Sequence, residues 1–226
     1  MDVATNLARA RQRIAAAAVR SGRDPSDVRL VAVSKTHPIE AIREAYEAGQ
    51  RDFGENYAQE LNDKAAALAD LADLRWHFIG HLQRNKARMV VPHAAMVETV
   101  DSVRLAEELD HQARRLGRAL GCLVQVNVGG EEQKSGCTPG EAGEIAGAVE
   151  SLEWLKLAGL MTIPPFDLDP EETRKHFRAL AALRERLGGV TRFAHLSMGM
   201  SQDFEAAIEE GATLVRVGTA VFGDRV

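Results

Sequence analysis

Val28-Arg29-Leu30-Val31-Ala32-Val33-Ser34-Lys35-Thr36 is the stretch on which the fold turns. Leu30, Val31, Ala32 and Val33 are apolar on both alternations, which is the pattern of a strand covered on both faces. A polar turn and a helix-patterned segment, 39–48, follow at once. The same unit recurs along the chain. Short apolar runs rich in β-branched residues fall at 28–34, 51–54, 75–79, 96–100, 122–128, 155–161, 192–196 and 214–217. Helical periodicity fills the intervals at 39–48, 58–72, 83–91, 103–116, 139–150, 171–187 and 201–210. Strands alternating with helices predict βαβ units and a parallel sheet.

Eight such units fit a small (β/α)8 TIM barrel, with an open doubly wound sheet as the alternative that periodicity leaves open. Before the first run, Val3, Leu7, Ala10, Ile14 and Ala17 form the stripe of an additional N-terminal helix, stopped by Gly22 and Pro25. With no linker of biased composition, the expectation is one domain over 1–226, divided into the helix at 1–24 and the barrel at 28–226.

Composition narrows the function classes. The 226 residues are 45% hydrophobic and 27% charged, enough to bury a core without metal or disulfide staples. A net charge of −5 with scattered basic residues argues against nucleic acid. Cys122 and Cys137 cannot make a disulfide framework, no zinc-ligand spacing occurs, and no run is apolar enough to span a membrane or form a secretion signal. A cytoplasmic protein that binds neither membrane nor metal is expected.

In a parallel barrel the chemistry gathers where strands end. Those positions here read Ser34-Lys35-Thr36, Gly54-Glu55-Asn56, Gly80-His81, Asp101, Asn127, Met161-Thr162, Ser197-Met198-Gly199-Met200-Ser201 and Gly218-Thr219. Only six of the 28 basic residues are lysines, so Lys35, placed at the end of a buried strand, stands out. Desolvation lowers an amine's pKa and makes it a nucleophile toward carbonyls. The loops after the seventh and eighth strands are the usual phosphate site of such barrels, and both carry glycines and hydroxyls. Ser201 is expected to open the following helix, with Asp203 turned to solvent so as not to repel an anion. Arg216, flanked by Val215 and Val217, needs either a polar site or an acid to pair with. Together these describe a site for a phosphorylated carbonyl compound, pyridoxal 5′-phosphate (PLP) or a sugar phosphate.

The blocks Val31-Ala32-Val33-Ser34-Lys35-Thr36, Phe53-Gly54-Glu55-Asn56-Tyr57 and Trp76-His77-Phe78-Ile79-Gly80-His81-Leu82-Gln83 resemble the pyridoxal phosphate homeostasis proteins. So do Gly159-Leu160-Met161-Thr162-Ile163-Pro164, Leu196-Ser197-Met198-Gly199-Met200-Ser201 with Asp203-Phe204, and Arg216-Val217-Gly218-Thr219 with Phe222-Gly223. The resemblance implies a barrel similar to the alanine racemase N-terminal domain, with PLP held as an internal aldimine on Lys35. It implies that Ser197, Gly218 and Thr219 bind the phosphate with Met198 and Ser201 nearby, and that Arg216 faces the pyridine nitrogen. Asn56 and Met161 match cofactor-facing positions at the mouth. Such an arginine disfavours ring protonation and weakens the electron sink.

The family is regarded as a vitamin B6 homeostasis factor or PLP carrier without an established reaction, and PLP-dependent apo-enzymes are its conceivable partners. Only three residues follow Gly223, and Tyr46 and Tyr57 are the only tyrosines, so the second half of a racemase site is expected to be missing. A weak or narrow racemase, a cofactor-free Schiff-base aldolase and a regulatory PLP-binding protein remain the rival readings, and a monomer is expected. The segment 83–88 reads as a solvated helix face, 129–136 as a mobile connection, and Trp76 and Trp154 as core.

Overall fold

The apolar runs pair in chain order. In the computed structural model, which describes residues 2–130, 135–165 and 169–223, the parallel strands are β1 (Arg29–Val33), β2 (Asp52–Glu55), β3 (Arg75–Phe78), β4 (Ala94–Val100), β5 (Leu120–Gln125), β6 (Leu155–Met161), β7 (His195–Ser197) and β8 (Leu214–Val217). Ala32 lies opposite Val217, so β8 returns to β1 and closes the barrel, which removes the open-sheet alternative. Closure leaves no exposed sheet edge.

Helices wrap the outside: α1 (Val3–Arg20), α2 (Ile39–Glu47), α3 (Ala58–Ala67), α4 (Ala87–Val90), α5 (Val103–Leu116), α6 (Ala142–Ser151), α7 (Pro170–Leu187), α8 (Gly189–Arg192), α9 (Phe204–Glu209) and α10 (Thr219–Phe222). None of the described helices is long and apolar enough to cross a membrane. Asp2 caps α1, its carboxylate accepting from the Thr5 N–H at 2.7 Å. The predicted stripe is the buried face, with Leu7, Ala10, Ile14 and Ala17 packed against the barrel and its last helices.

Strand alternation divides the core in two. Leu30, Ala32, Phe53, Trp76, Phe78, Cys122, Leu160, Leu196, Val215 and Val217 point outward into the helix layer, as does half-buried Trp154. Leu123, Met161 and Leu214 form a small apolar plug inside the barrel. Beside this plug the interior holds a set of buried polar side chains, Asp52, His77, Glu98, Ser197 and Arg216, which positions the site.

Three local expectations change. The seventh run does not begin at Arg192: Gly188 and Gly189 adopt positive φ, and residues 189–192 form the turn of α8. The 83–91 helix is split into a 3-10 turn (Arg84–Lys86) and α4, with its basic residues exposed as expected. Ser201 does not open the next helix, which starts at Phe204. Of the connection at 129–136, residues 131–134 lie outside the described residues.

Gly147 lies inside α6 with nothing within 4 Å of where a Cβ would sit. Gly147→Ala should raise the free energy of unfolding by about 0.5–1 kcal/mol through backbone entropy alone. A denaturant midpoint that stays put or falls would contradict this.

Candidate functional site

The site begins at the turn after β1. Leu30 and Ala32 face the helices, so Val31 and Val33 face inward, and Lys35 continues that alternation from a half-buried turn. The backbone is held on both sides of it. Lys64 Nζ donates to the Ser34 carbonyl at 2.6 Å, and the Thr36 N–H donates to Glu60 Oε1 at 2.6 Å. Lys64 also pairs with Glu60 at 2.7 Å and with Glu55 at 2.8 Å, and Ser34 Oγ donates to Glu55. Burial pushes the Glu55 carboxyl up, against the pull of Lys64.

Thr36 is the one non-glycine residue with positive φ (65°) among those described. A β-branched residue there is strained by roughly 1–3 kcal/mol, and the α3 clamp is what holds it. Lys64 is 6% exposed, a buried lysine beside half-buried Lys35 that the lysine count did not single out. Its i,i+4 spacing from Glu60 was the available signal.

The loops after β7 and β8 are tied together. Ser201 Oγ accepts from the Gly218 N–H at 3.2 Å and the Ala220 N–H at 3.3 Å, bridging the β7 loop to the start of α10. Asp203 corrects its expectation. It folds back instead of facing solvent, and its Oδ1 accepts from the Met200 N–H at 2.6 Å. Burial pushes its pKa up, against the Met200 N–H and the Arg216 charge. Gly218 and Thr219 follow β8, beside β1, so they share one barrel end with Lys35.

Asn56 follows β2 at the same end, and its Oδ1 is buried without a hydrogen-bond partner among the described residues. Met161 closes β6 and belongs to the inner plug. Met198 is not brought in: its side chain is fully buried in the outer core, and its N–H donates to the Leu214 carbonyl.

Arg216 is 3% exposed and points into the barrel. Its Nη1 donates to Ser197 Oγ at 2.6 Å and its Nη2 to the Thr162 carbonyl at 2.9 Å. It makes no ion pair with a described carboxylate, so the salt-bridge reading of this arginine fails. Burial lowers its pKa, and the nearby charges of Glu98 and Asp203 support its cation.

Ser197 leads onward to a part of the site that the strand-end reading missed. Its hydroxyl donates to Glu98 Oε2, Glu98 Oε1 meets His77 Nδ1 at 2.7 Å, and His77 Nε2 meets Asp52 Oδ1 at 3.1 Å. Arg75 grips Asp52 with two hydrogen bonds at 2.7–2.8 Å at the opposite rim. Burial opposes the charge of His77, yet its two carboxylate partners hold its pKa up at about 9. Burial likewise opposes ionisation of Asp52 and Glu98, and their hydrogen bonds override it, holding both below the usual carboxylate range.

A histidine near 6.5 when unfolded and near 9 when folded contributes stability below pH 6.5 that is lost as pH rises through 9. Denaturant stability should therefore fall across that window. His77→Gln should flatten this part of the profile.

A lysine after β1, an arginine inside β8 and hydroxyl loops after β7 and β8 define a barrel of the alanine racemase N-terminal type. The family model described as "Alanine racemase, N-terminal domain" matches residues 5–226. The chain is 50% identical over 224 residues to the pyridoxal phosphate homeostasis protein of Pseudomonas aeruginosa PAO1, covering 99% of this chain and 96% of that one. It is 46% identical over 231 residues to that of Escherichia coli K12, covering 99% and 97%. PipY of Synechococcus elongatus PCC7942, solved with PLP bound, superposes with a TM-score of 0.83 at 42% identity, covering 98% of this chain and 100% of that one. The chain belongs to the pyridoxal phosphate homeostasis protein family.

Proposed function

We propose that this protein binds PLP at the C-terminal mouth of the barrel, holds it covalently through Lys35, and serves cytoplasmic PLP homeostasis as a carrier for apo-enzymes. The observation that carries the reading is the turn in which α3 fixes the backbone on both sides of Lys35, one strand away from Arg216. The residues present suit the cofactor. An amine sits at the mouth, and among the described residues a buried guanidinium makes no direct ion pair with a carboxylate and the Asn56 Oδ1 lacks a hydrogen bond that a ligand could complete. PLP would supply an aldehyde that condenses with the Lys35 amine, releasing one water, and a ring nitrogen able to accept from Arg216.

In this reading Ser201, Gly218 and Thr219 surround the phosphate, with Met198 shaping the loop from behind, while Ser197, whose hydroxyl donates to Glu98 and accepts from Arg216, braces the arginine. Asn56 and Met161 line the ring. Residues 1–226 act as one domain and as a monomer, with the helix at 1–24 bracing the barrel at 28–226. A racemase-like tyrosine base is not favoured: the Tyr46 hydroxyl donates to Asp73 on the helix side, and Tyr57 is 58% exposed.

The test is direct. Purified protein incubated with PLP should gain a visible band, and borohydride reduction should leave the added mass on the peptide containing Lys35. A protein that stays colourless and unmodified would overturn the reading.

A further inference from the structure

The interior chain is assembled from five strands, and each member is at least 95% buried: Asp52 is 4% exposed, His77 2%, Glu98 0%, Ser197 0% and Arg216 3%. Its donor directions are forced. Both His77 ring nitrogens face carboxylate oxygens, which only accept when ionised, so both carry hydrogens and the ring is a cation. The single Ser197 hydrogen goes to Glu98, so its oxygen is left to accept from Arg216. Charges along the barrel axis therefore alternate: Asp52 negative, His77 positive, Glu98 negative, Arg216 positive. An isolated arginine this deep would be costly, and Glu98 is the carboxylate that offsets it at one remove.

We propose that Glu98, oriented by His77 and acting through the Ser197 hydroxyl, is a positioning residue for Arg216: it fixes the guanidinium at the barrel mouth and sets how much of its positive charge reaches a bound ligand. The proposal rests on the reading that PLP lies between Lys35 and Arg216. The other charged and titratable groups facing the chain are Arg29 and Arg75 against Asp52, His195 of β7 near His77 and Glu98, and Asp203 of the β7 loop near Arg216.

Two variants and two readouts test it. Glu98→Gln keeps the shape and removes the charge, so Arg216 presents more positive potential to the cofactor. A protonated group on bound PLP then releases its proton more readily, and the pH midpoint of the visible band should fall by about one unit. In the apo-protein, the His77 ring resonance, followed by NMR, should titrate near 9 in the wild type and lower in Glu98→Gln. Ser197→Ala leaves the Glu98–His77 contact intact but cuts the link to Arg216. Its cofactor band should shift while His77 titrates as in the wild type, and Ser197→Thr should restore the band. Should Glu98→Gln fail to fold, the Ser197 pair decides the question.

An unchanged cofactor midpoint in folded Ser197→Ala, or the same shift in Ser197→Thr, overturns the proposal. A wild type that never gains a visible band overturns the PLP reading and the ligand half of this one with it. A His77 titration near 6.5 in apo wild type instead breaks the chain itself, so the two failures are told apart.

Discussion

Lys35→Ala should abolish the visible band and the borohydride-stable adduct completely, while leaving a folded barrel. The chemical half of this expectation follows from the amine, since the other lysine described at this turn, Lys64, is engaged by the Ser34 carbonyl, Glu55 and Glu60. Lys35→Arg should fail in the same way, because a guanidinium keeps the charge but is not a usable nucleophile at neutral pH. The structural half follows from the clamp. Ser34 and Thr36 are held by Lys64 and Glu60 through backbone atoms, which the substitution leaves in place. The melting transition of Lys35→Ala should therefore match that of the wild type closely, as for most half-exposed positions. PLP should still associate weakly and reversibly through Arg216 and the hydroxyl loops. An adduct that persists in Lys35→Ala and maps to another lysine would displace Lys35 from its role.

The contrast between Lys35 and Lys64 shows what the sequence could carry. Lys35 was legible because it ends an unbroken apolar run, a local signal. Lys64 sits in a helix whose polar face looks solvated, and only the folding of α3 over β1 and β2 buries it against Glu55. The same distinction separates the barrel from its interior. Strand–helix alternation is local and gave eight strands within a few residues of their places, whereas closure depends on Val217 meeting Ala32, 185 positions away in sequence and visible to no periodicity.

Asp52, His77 and Glu98 lie on three different strands, and each by itself reads as an ordinary strand residue. His77 has its nearest histidine at His81, whereas its partners come from the two neighbouring strands, Asp52 on β2 and Glu98 on β4. Alternation tells which face a residue takes but not whom it meets there. Asp203 went wrong for a related reason. Its solvent exposure was inferred from a helix beginning at Ser201, and the three-residue turn that replaces that first helical turn brings the carboxylate back onto the Met200 N–H.

Gly80→Ala should be the most damaging single-methyl change near the mouth. A Cβ on Gly80 would lie 2.0 Å from the Asn56 carbonyl oxygen, 2.7 Å from its carbon and 2.8 Å from its Cα. All three are backbone atoms, so no rotamer change relieves the overlap. Neither side can drift easily. The Ile79 N–H donates to the Glu55 carbonyl at 2.9 Å one residue earlier, and Thr99 Oγ1 donates to the Gly80 carbonyl at 2.7 Å. Separating the two loops therefore breaks the end of the β2–β3 pairing and the Thr99 bond together. Overpacking of this kind costs about 3 kcal/mol or more, a large share of the ~5–15 kcal/mol that holds a domain folded.

The same displacement moves Asn56, so PLP affinity should fall along with the denaturant midpoint, whereas Lys35→Ala separates the two. Adding the identical methyl at Gly147, where nothing lies within 4 Å, should stabilise the protein. Opposite signs for one chemical change at two glycines would show that the close approach of the β2 and β3 loops, and not the loss of glycine itself, is responsible. A Gly80→Ala protein as stable as the wild type would mean that the mouth is looser than these contacts require.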